Sequence, residues 1–212
     1  MPLTCERLSA LCPAVALLWD WTFGWSLLPL RPQIEAAATA FAARLTADHE
    51  LPAVPASVVF TEWGPVAVPE TPADTIRVYV GPAPADTLGA SGPASSFDPL
   101  PRYGAASLGI NPAADWSAIS LPTVVRHELL HAVGVLGHSG DPDALMAPGL
   151  PAHTERDATP ADVTLARSYG VEIGPPESLL HGAVVQNPWG QIGWGKLSPE
   201  MAAGWWRAGN LT

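Results

Sequence analysis

The run of residues 126–148 constrains the fold more than any other part of the chain, because it brings three histidines close together in sequence. Its first part contains His127, Glu128 and His131. In an α-helix, His127 and His131 lie one turn apart, so both imidazoles extend from the same face. Two neutral imidazole nitrogens at that separation can bind one zinc ion, and Glu128 beside them can hold a metal-bound water. The pattern therefore predicts a helix that carries a metal site.

The residues that follow this helix predict a third ligand and a tight turn. Gly134 allows the helix to end, because glycine tolerates the left-handed backbone conformation. The chain can then turn back, and His138 becomes available to the metal. Met146 follows within residues 143–148, whose composition indicates a tight turn.

This segment resembles the metal-binding segment of the metzincin metalloproteases and, within them, of the matrixins. The family pattern is HExxHxxGxxH followed by a turn that contains methionine, and the chain matches it at His127, Glu128, His131, Gly134 and Met146. Gly137 stands where the family has its third histidine, and His138 lies one residue further on. The resemblance therefore implies a one-residue insertion, with His138 as the third ligand. A two-histidine site completed by Asp141 is the alternative, since carboxylates also bind zinc.

The resemblance implies a zinc-dependent endopeptidase that hydrolyses peptide bonds through a zinc-bound water, with Glu128 as general base. It also implies an α+β (α/β-type) fold, in which a twisted mixed sheet packs with an active-site helix and a C-terminal helix. Met146 would form an apolar floor beneath the histidines. Two other functions stay open: a zinc-stabilised binding module without catalysis, and a zinc amidase that acts on small amides.

The resemblance further assigns residues 103–111 to an edge strand above the cleft, to which an extended peptide could pair. Candidate substrate-binding residues in this strand are Gly104, Ala105, Ala106, Ser107 and Leu108. Ala147 and Pro148 are candidates for the pocket that follows the cut bond. Calcium is a further candidate ligand, at Asp86 or Asp98, although both are also ordinary loop residues. The family's second, structural zinc is not expected, because no histidine occurs between His49 and His127.

The rest of the chain supplies the other elements of such a domain. Apolar patterning predicts strands at residues 17–28, 57–63 and 75–80, with a long loop over residues 81–101. Helices are predicted to begin near Pro32, Ser120 and Thr159. We divide the chain into an N-terminal extension (residues 1–16), a peptidase domain (residues 17–173) and an extension rich in glycine, proline and tryptophan (residues 174–212).

Composition limits the partners. The net charge is −10 and Lys196 is the one lysine, which argues against nucleic acid and anionic membranes as partners. No run approaches the roughly 18 apolar residues of a membrane span. Residues 8–18 are apolar but have poor signal-peptide flanks, so secretion is favoured by the resemblance alone. Cys5 and Cys12 could form a small disulfide loop or remain free thiols. The expected partner is a protein or peptide substrate.

Overall fold

A computed structural model describes residues 15–47, 53–93, 104–149, 154–175, 184–186 and 192–194. The predictions made for Cys5, Cys12, Asp98 and most of the C-terminal extension lie outside these residues. The elements, in chain order, are β1 (Ala16–Asp20), a 3-10 helix (Trp25–Leu30), α1 (Arg31–Ala42), β2 (Leu45–Ala47), β3 (Ser57–Thr61), β4 (Gly64–Val68), β5 (Thr75–Pro82), β6 (Gly89–Pro93), β7 (Ala105–Ile110), α2 (Leu121–Ala132), α3 (Pro160–Ser168), β8 (Val171–Ile173), β9 (Val184–Gln186) and β10 (Ile192–Trp194).

The central sheet has four strands in the order β1-β5-β7-β6. β1 and β7 are both parallel to β5, whereas β6 runs antiparallel to β7. Two-stranded antiparallel pairs join β2 to β8, β3 to β4 and β9 to β10. The prediction of an α+β fold with a twisted mixed sheet is confirmed at this level.

Both faces of the central sheet are covered at β5 and β7, whose residues are almost all buried. On one face, alternate residues such as Val78, Val80 and Leu108 join the main hydrophobic core with α1 and α2. On the other face, Tyr79 packs with Val59 of the β3–β4 hairpin. The helix that carries the histidines therefore packs against both the sheet and α1.

The first strand is shorter than the predicted residues 17–28. After β1, the Asp20 carboxylate accepts hydrogen bonds from the backbone N–H and the hydroxyl of Thr22, which forms a turn. Gly24 N–H then donates to Trp21 O, and the 3-10 helix follows. This local side-chain bonding ends a run whose apolar residues alone indicated a longer strand.

The predicted helix starts are confirmed. Pro32 lies in the first turn of α1, and the Ser120 hydroxyl caps α2 by accepting a bond from Thr123 N–H. Thr159 and Asp162 form a capping box at the start of α3. None of the helices in the described part of the chain has the length and apolar character to span a bilayer.

Candidate metal centre

Three side chains of α2, those of His127, Glu128 and His131, are directed toward β6 and the loop of residues 135–147. His127 and Glu128 are buried, at 7% and 6% exposure, and His131 is half-buried. A mostly buried helix with polar groups at these positions must satisfy them locally, because unpaired buried polar groups are costly.

The end of α2 creates the turn that brings in the third histidine. Gly134 has φ +99°, the left-handed conformation that glycine adopts without a Cβ clash. Its N–H donates to His131 O, and Val135 N–H donates to Leu130 O, each at 2.9 Å. This pair of bonds is a Schellman motif, which reverses the chain direction.

The three predicted histidines come together. The ligand atoms of His127, His131 and His138 all lie within 4.8 Å of one another, and His131 Nε2 is 3.3 Å from His138 Nε2. His138 is exposed, so the cluster opens to solvent on its side. Asp141, the alternative third ligand, is not part of the cluster, and its Oδ1 accepts a bond from Asp143 N–H.

Gly137, the residue before His138, lies against the end of α3. A Cβ placed on Gly137 would be 2.8 Å from the Tyr169 hydroxyl oxygen, closer than real Cβ contacts allow. The Tyr169 hydroxyl is the far end of a partly exposed side chain, so a larger residue at position 137 would require Tyr169 to shift, whereas glycine lets the loop pass beside it without that shift.

Two backbone carbonyls fix the tautomers of His127 and His131. His127 Nδ1 lies 2.8 Å from Leu145 O, and His131 Nδ1 lies 2.6 Å from Val135 O. A carbonyl oxygen can only accept, so each Nδ1 carries the proton and each Nε2 presents a lone pair. This is the arrangement in which outer partners orient metal-ligating histidines.

The three imidazoles are placed where they could hold a metal ion. Zn–N bonds of about 2.0–2.1 Å in a tetrahedral site place two nitrogens about 3.3–3.4 Å apart. The 3.3 Å separation of the His131 and His138 Nε2 atoms agrees with this value. Burial also lowers the pKa of His127 and lowers that of His131 to about 4, although hydrogen bonds to Leu145 and Val135 oppose the shift. Both rings are therefore neutral at pH 7, as metal ligation requires.

The predicted turn around Met146 is present at residues 144–147, where Ala147 N–H donates to Ala144 O. Met146 is fully buried in the main core, and its carbonyl accepts a bond from Ser139 N–H at 2.8 Å. The turn therefore supports two of the three histidines. It bonds to Ser139, the neighbour of His138, and its Leu145 carbonyl oxygen bonds to His127.

The carboxylate of Asp162 stabilises this turn by hydrogen bonds. It is fully buried and accepts the N–H groups of Leu145 at 2.9 Å and Met146 at 2.7 Å. The same carboxylate accepts the N–H and the hydroxyl of Thr159. The sequence showed Asp162 as an acid in the first turn of a helix, but it contained no signal for the contact with the methionine turn, which joins segments distant in sequence.

Glu128 packs directly on strand β6. A Cβ on Gly89 would lie 2.5 Å from Glu128 Oε1, so the carboxylate occupies the space that a side chain would need. Glu128 Oε2 and the nearby Ser91 Oγ are both buried without a hydrogen-bond partner. Burial raises the pKa of Glu128 to about 8; the Ser91 hydroxyl opposes this shift and the Glu62 charge adds to it.

The prediction that residues 103–111 form an edge strand is wrong. The strand itself exists as β7, but it lies between β5 and β6, and both of its backbone edges are paired. The predicted substrate-binding residues Ala105, Ala106, Ser107 and Leu108 are buried inside the sheet, and Gly104, also buried, precedes the strand. The edge is formed by β6, which arises within the predicted loop 81–101.

The other candidates are the pocket residues Ala147 and Pro148 and the calcium ligand Asp86. Ala147 is buried at 2% exposure, whereas Pro148 is exposed. Asp86 lies in an exposed turn, and its carboxylate joins no cluster of potential metal ligands among the described residues. The structure thus brings the three histidines together beside Glu128.

No protein-family model matches the chain, and no curated protein matches it either.

Proposed function

We propose that the chain is a zinc-dependent endopeptidase of metzincin type. The observation that carries the proposal is the convergence of three histidine ligand atoms next to a buried glutamate with one unpaired carboxylate oxygen. Three neutral imidazoles are a ligand set that suits zinc and leaves a coordination position for reactants.

His127, His131 and His138 would hold the ion. When bound, zinc would supply Lewis acidity, which polarises a carbonyl oxygen and lowers the pKa of a coordinated water to about 7. The hydrogen bonds from Nδ1 of His127 and His131 to backbone carbonyls orient both rings before any metal arrives.

Glu128 is the proton carrier in this proposal. It accepts a proton from the attacking water as the water oxygen bonds to the carbonyl carbon, and it delivers that proton to the amine nitrogen as the C–N bond breaks. Burial alone favours the neutral carboxyl, with a pKa raised to about 8. A divalent cation at the neighbouring histidines favours the ionised form, which is the form that can accept a proton.

The position of β6 supports a peptide substrate over a small amide. Among the described residues, no strand pairs with the side of β6 that faces away from β7. An extended peptide that paired along this side would run past Gly89 and therefore past the Glu128 carboxylate. A small amide would gain nothing from such an edge.

The test is cleavage of a diverse peptide mixture by the full chain, read by mass spectrometry, with and without a zinc chelator. Glu128→Gln preserves the side-chain volume but removes the proton acceptor, so we expect cutting to fall by at least about a hundredfold while zinc binding persists. The matched control is Glu155→Gln, which makes the same change on a side chain that is 62% exposed. Zinc binding without any peptide cleavage would refute the peptidase and favour the non-catalytic binding module. Cleavage of small amides alone would favour the amidase.

A further inference from the structure

We propose that Gly89 and Ser91 of β6 form a cradle that orients the Glu128 carboxylate, with Ser91 as a positioning residue that donates a hydrogen bond to Glu128 Oε2. This inference rests on the proposed function, because it assigns the support of the group that would move the proton. It names two residues for which the sequence motif gives no signal, since both lie far from residues 126–148.

The first part of the cradle is the missing side chain of Gly89. A Cβ there would lie 2.5 Å from Oε1, 2.6 Å from Cγ and 2.7 Å from Cδ of Glu128. All three atoms belong to the end of one side chain, so the carboxylate lies flat against the strand backbone at Gly89. Any larger residue at this position would displace the carboxylate while leaving the sheet able to form.

The second part is the Ser91 hydroxyl. Residues two apart in a strand extend from the same face, so Ser91 follows Gly89 along the side of β6 that meets α2. Its Oγ and Glu128 Oε2 are both buried and both lack partners. A buried donor and a buried acceptor left unpaired each cost free energy, and pairing them with each other satisfies both.

The pairing would leave Glu128 able to accept a proton. One hydrogen bond uses one of about four lone-pair positions on a carboxylate, which leaves the others free to accept from water. The cradle therefore fixes the direction of Glu128 and leaves its other acceptor sites open.

The consequence is that one strand serves two purposes. The side of β6 that pairs with no strand in the described part of the chain would bind the peptide, and the α2-facing residues of the same strand would orient the proton acceptor. A fixed acceptor needs no reorientation during the reaction, which is why misplacement of such groups lowers turnover more than binding.

The test compares Ser91→Ala, Ser91→Thr, Gly89→Ala and the control Ser117→Ala, whose hydroxyl bonds to Asp115 at the surface. For a peptide that the wild type cleaves, we expect Ser91→Ala to lower kcat by about ten- to a hundredfold, the value of a hydrogen bond to a charged group. KM and the zinc Kd should change by less than about twofold, and Ser91→Thr should restore kcat to within about threefold. Gly89→Ala should resemble Ser91→Ala, with zinc still bound. An unchanged kcat in Ser91→Ala would overturn the proposal.

A crystal structure of the zinc-loaded wild type provides a readout that does not depend on activity. We expect an Oγ–Oε2 distance of about 2.5–2.7 Å, the length of a hydroxyl bond to a carboxylate. A Ser91 hydroxyl that bonds elsewhere would overturn the cradle even if peptides are cleaved. The same contact in a protein that cleaves no peptide would instead count against the proposed function alone.

Discussion

Replacement of Asp162 by asparagine should destabilise the protein and weaken metal binding together. Asp162 is fully buried, and its two oxygens accept four hydrogen bonds, two from the turn at residues 144–147 and two from Thr159. That turn supplies Leu145 O, which accepts the proton of His127 Nδ1. The carboxylate is therefore connected to a metal ligand through a single backbone segment.

The expected loss in the free energy of unfolding depends on how these four bonds are divided between the two carboxylate oxygens. Oδ1 accepts one bond, from Met146 N–H, whereas Oδ2 accepts the other three. Asparagine has one oxygen, so its best placement keeps three bonds and turns an NH2 group toward Met146 N–H. The unpaired N–H costs about 1–3 kcal/mol, and the three remaining bonds weaken because they lose their charge. Relief of the buried charge offsets part of this loss, which leaves a decrease of about 2–4 kcal/mol in the free energy of unfolding.

The assay is urea unfolding of the metal-free protein, together with zinc affinity by competition against a chromophoric chelator. We expect a lower midpoint at an unchanged slope, and a zinc affinity reduced by about 10–100-fold, as for other groups that support a ligand. Asp143→Asn is the matched control, because that side chain is 92% exposed and lies near the same turn. It should change stability by less than about 0.5 kcal/mol. If Asp162→Asn has the same urea midpoint and the same zinc affinity as Asp143→Asn, Asp162 does not have this supporting role.

Two further outcomes are expected. His138→Ala should abolish tight zinc binding in isothermal titration, whereas Asp141→Ala should leave the zinc affinity within about threefold. The reason is that His138 lies in the ligand cluster and Asp141 does not. The reverse order would restore Asp141 as the ligand. In the metal-free protein, His127 and His131 should make the free energy of unfolding fall as the pH drops from about 6.5 to about 4. Burial lowers the pKa of His127, and lowers that of His131 to about 4, so between these limits the unfolded histidines take up protons that the folded ones do not. Glu128 acts in the opposite direction, because burial raises its pKa from 4.5 to about 8 and the folded carboxyl holds a proton that the unfolded one has lost. Urea midpoints measured at several pH values should show this slope, and His131→Asn should reduce it; an unaltered slope in that variant would contradict the prediction.

The helix that carries the site could be predicted because its signals are local. Ser120 caps its start, Pro122 fits its first turn, and Gly134 ends it in a left-handed conformation. The spacing of His127 and His131 then follows from helix geometry alone. Each of these features depends on residues within a few positions, which is the range over which sequence patterns report structure reliably.

The edge strand β6 could not be predicted, because it depends on contacts with residues distant in sequence. β6 has the sequence GASGP, which lacks the alternation of apolar residues that indicates a strand. It forms because its backbone pairs with β7, and the small residues of β7 reflect that close approach: a Cβ on Gly109 would lie 2.7 Å from Ala90 O. The small residues that suggested room for a substrate backbone instead make room for the protein's own neighbouring strand.

His138 lies one residue later than the HExxHxxGxxH pattern places its third histidine, and yet it joins the cluster with His127 and His131. The loop is tied at one end by Val135 N–H to Leu130 O and at the other by Ser139 N–H to Met146 O. These bonds fix where the loop leaves α2 and where it meets the methionine turn, so the extra residue is absorbed between them. Leu136 is 61% exposed and Gly137 lies against Tyr169, which leaves His138 directed at the other histidines. The ligand geometry is therefore set by the two anchored ends and not by the number of residues that separates them.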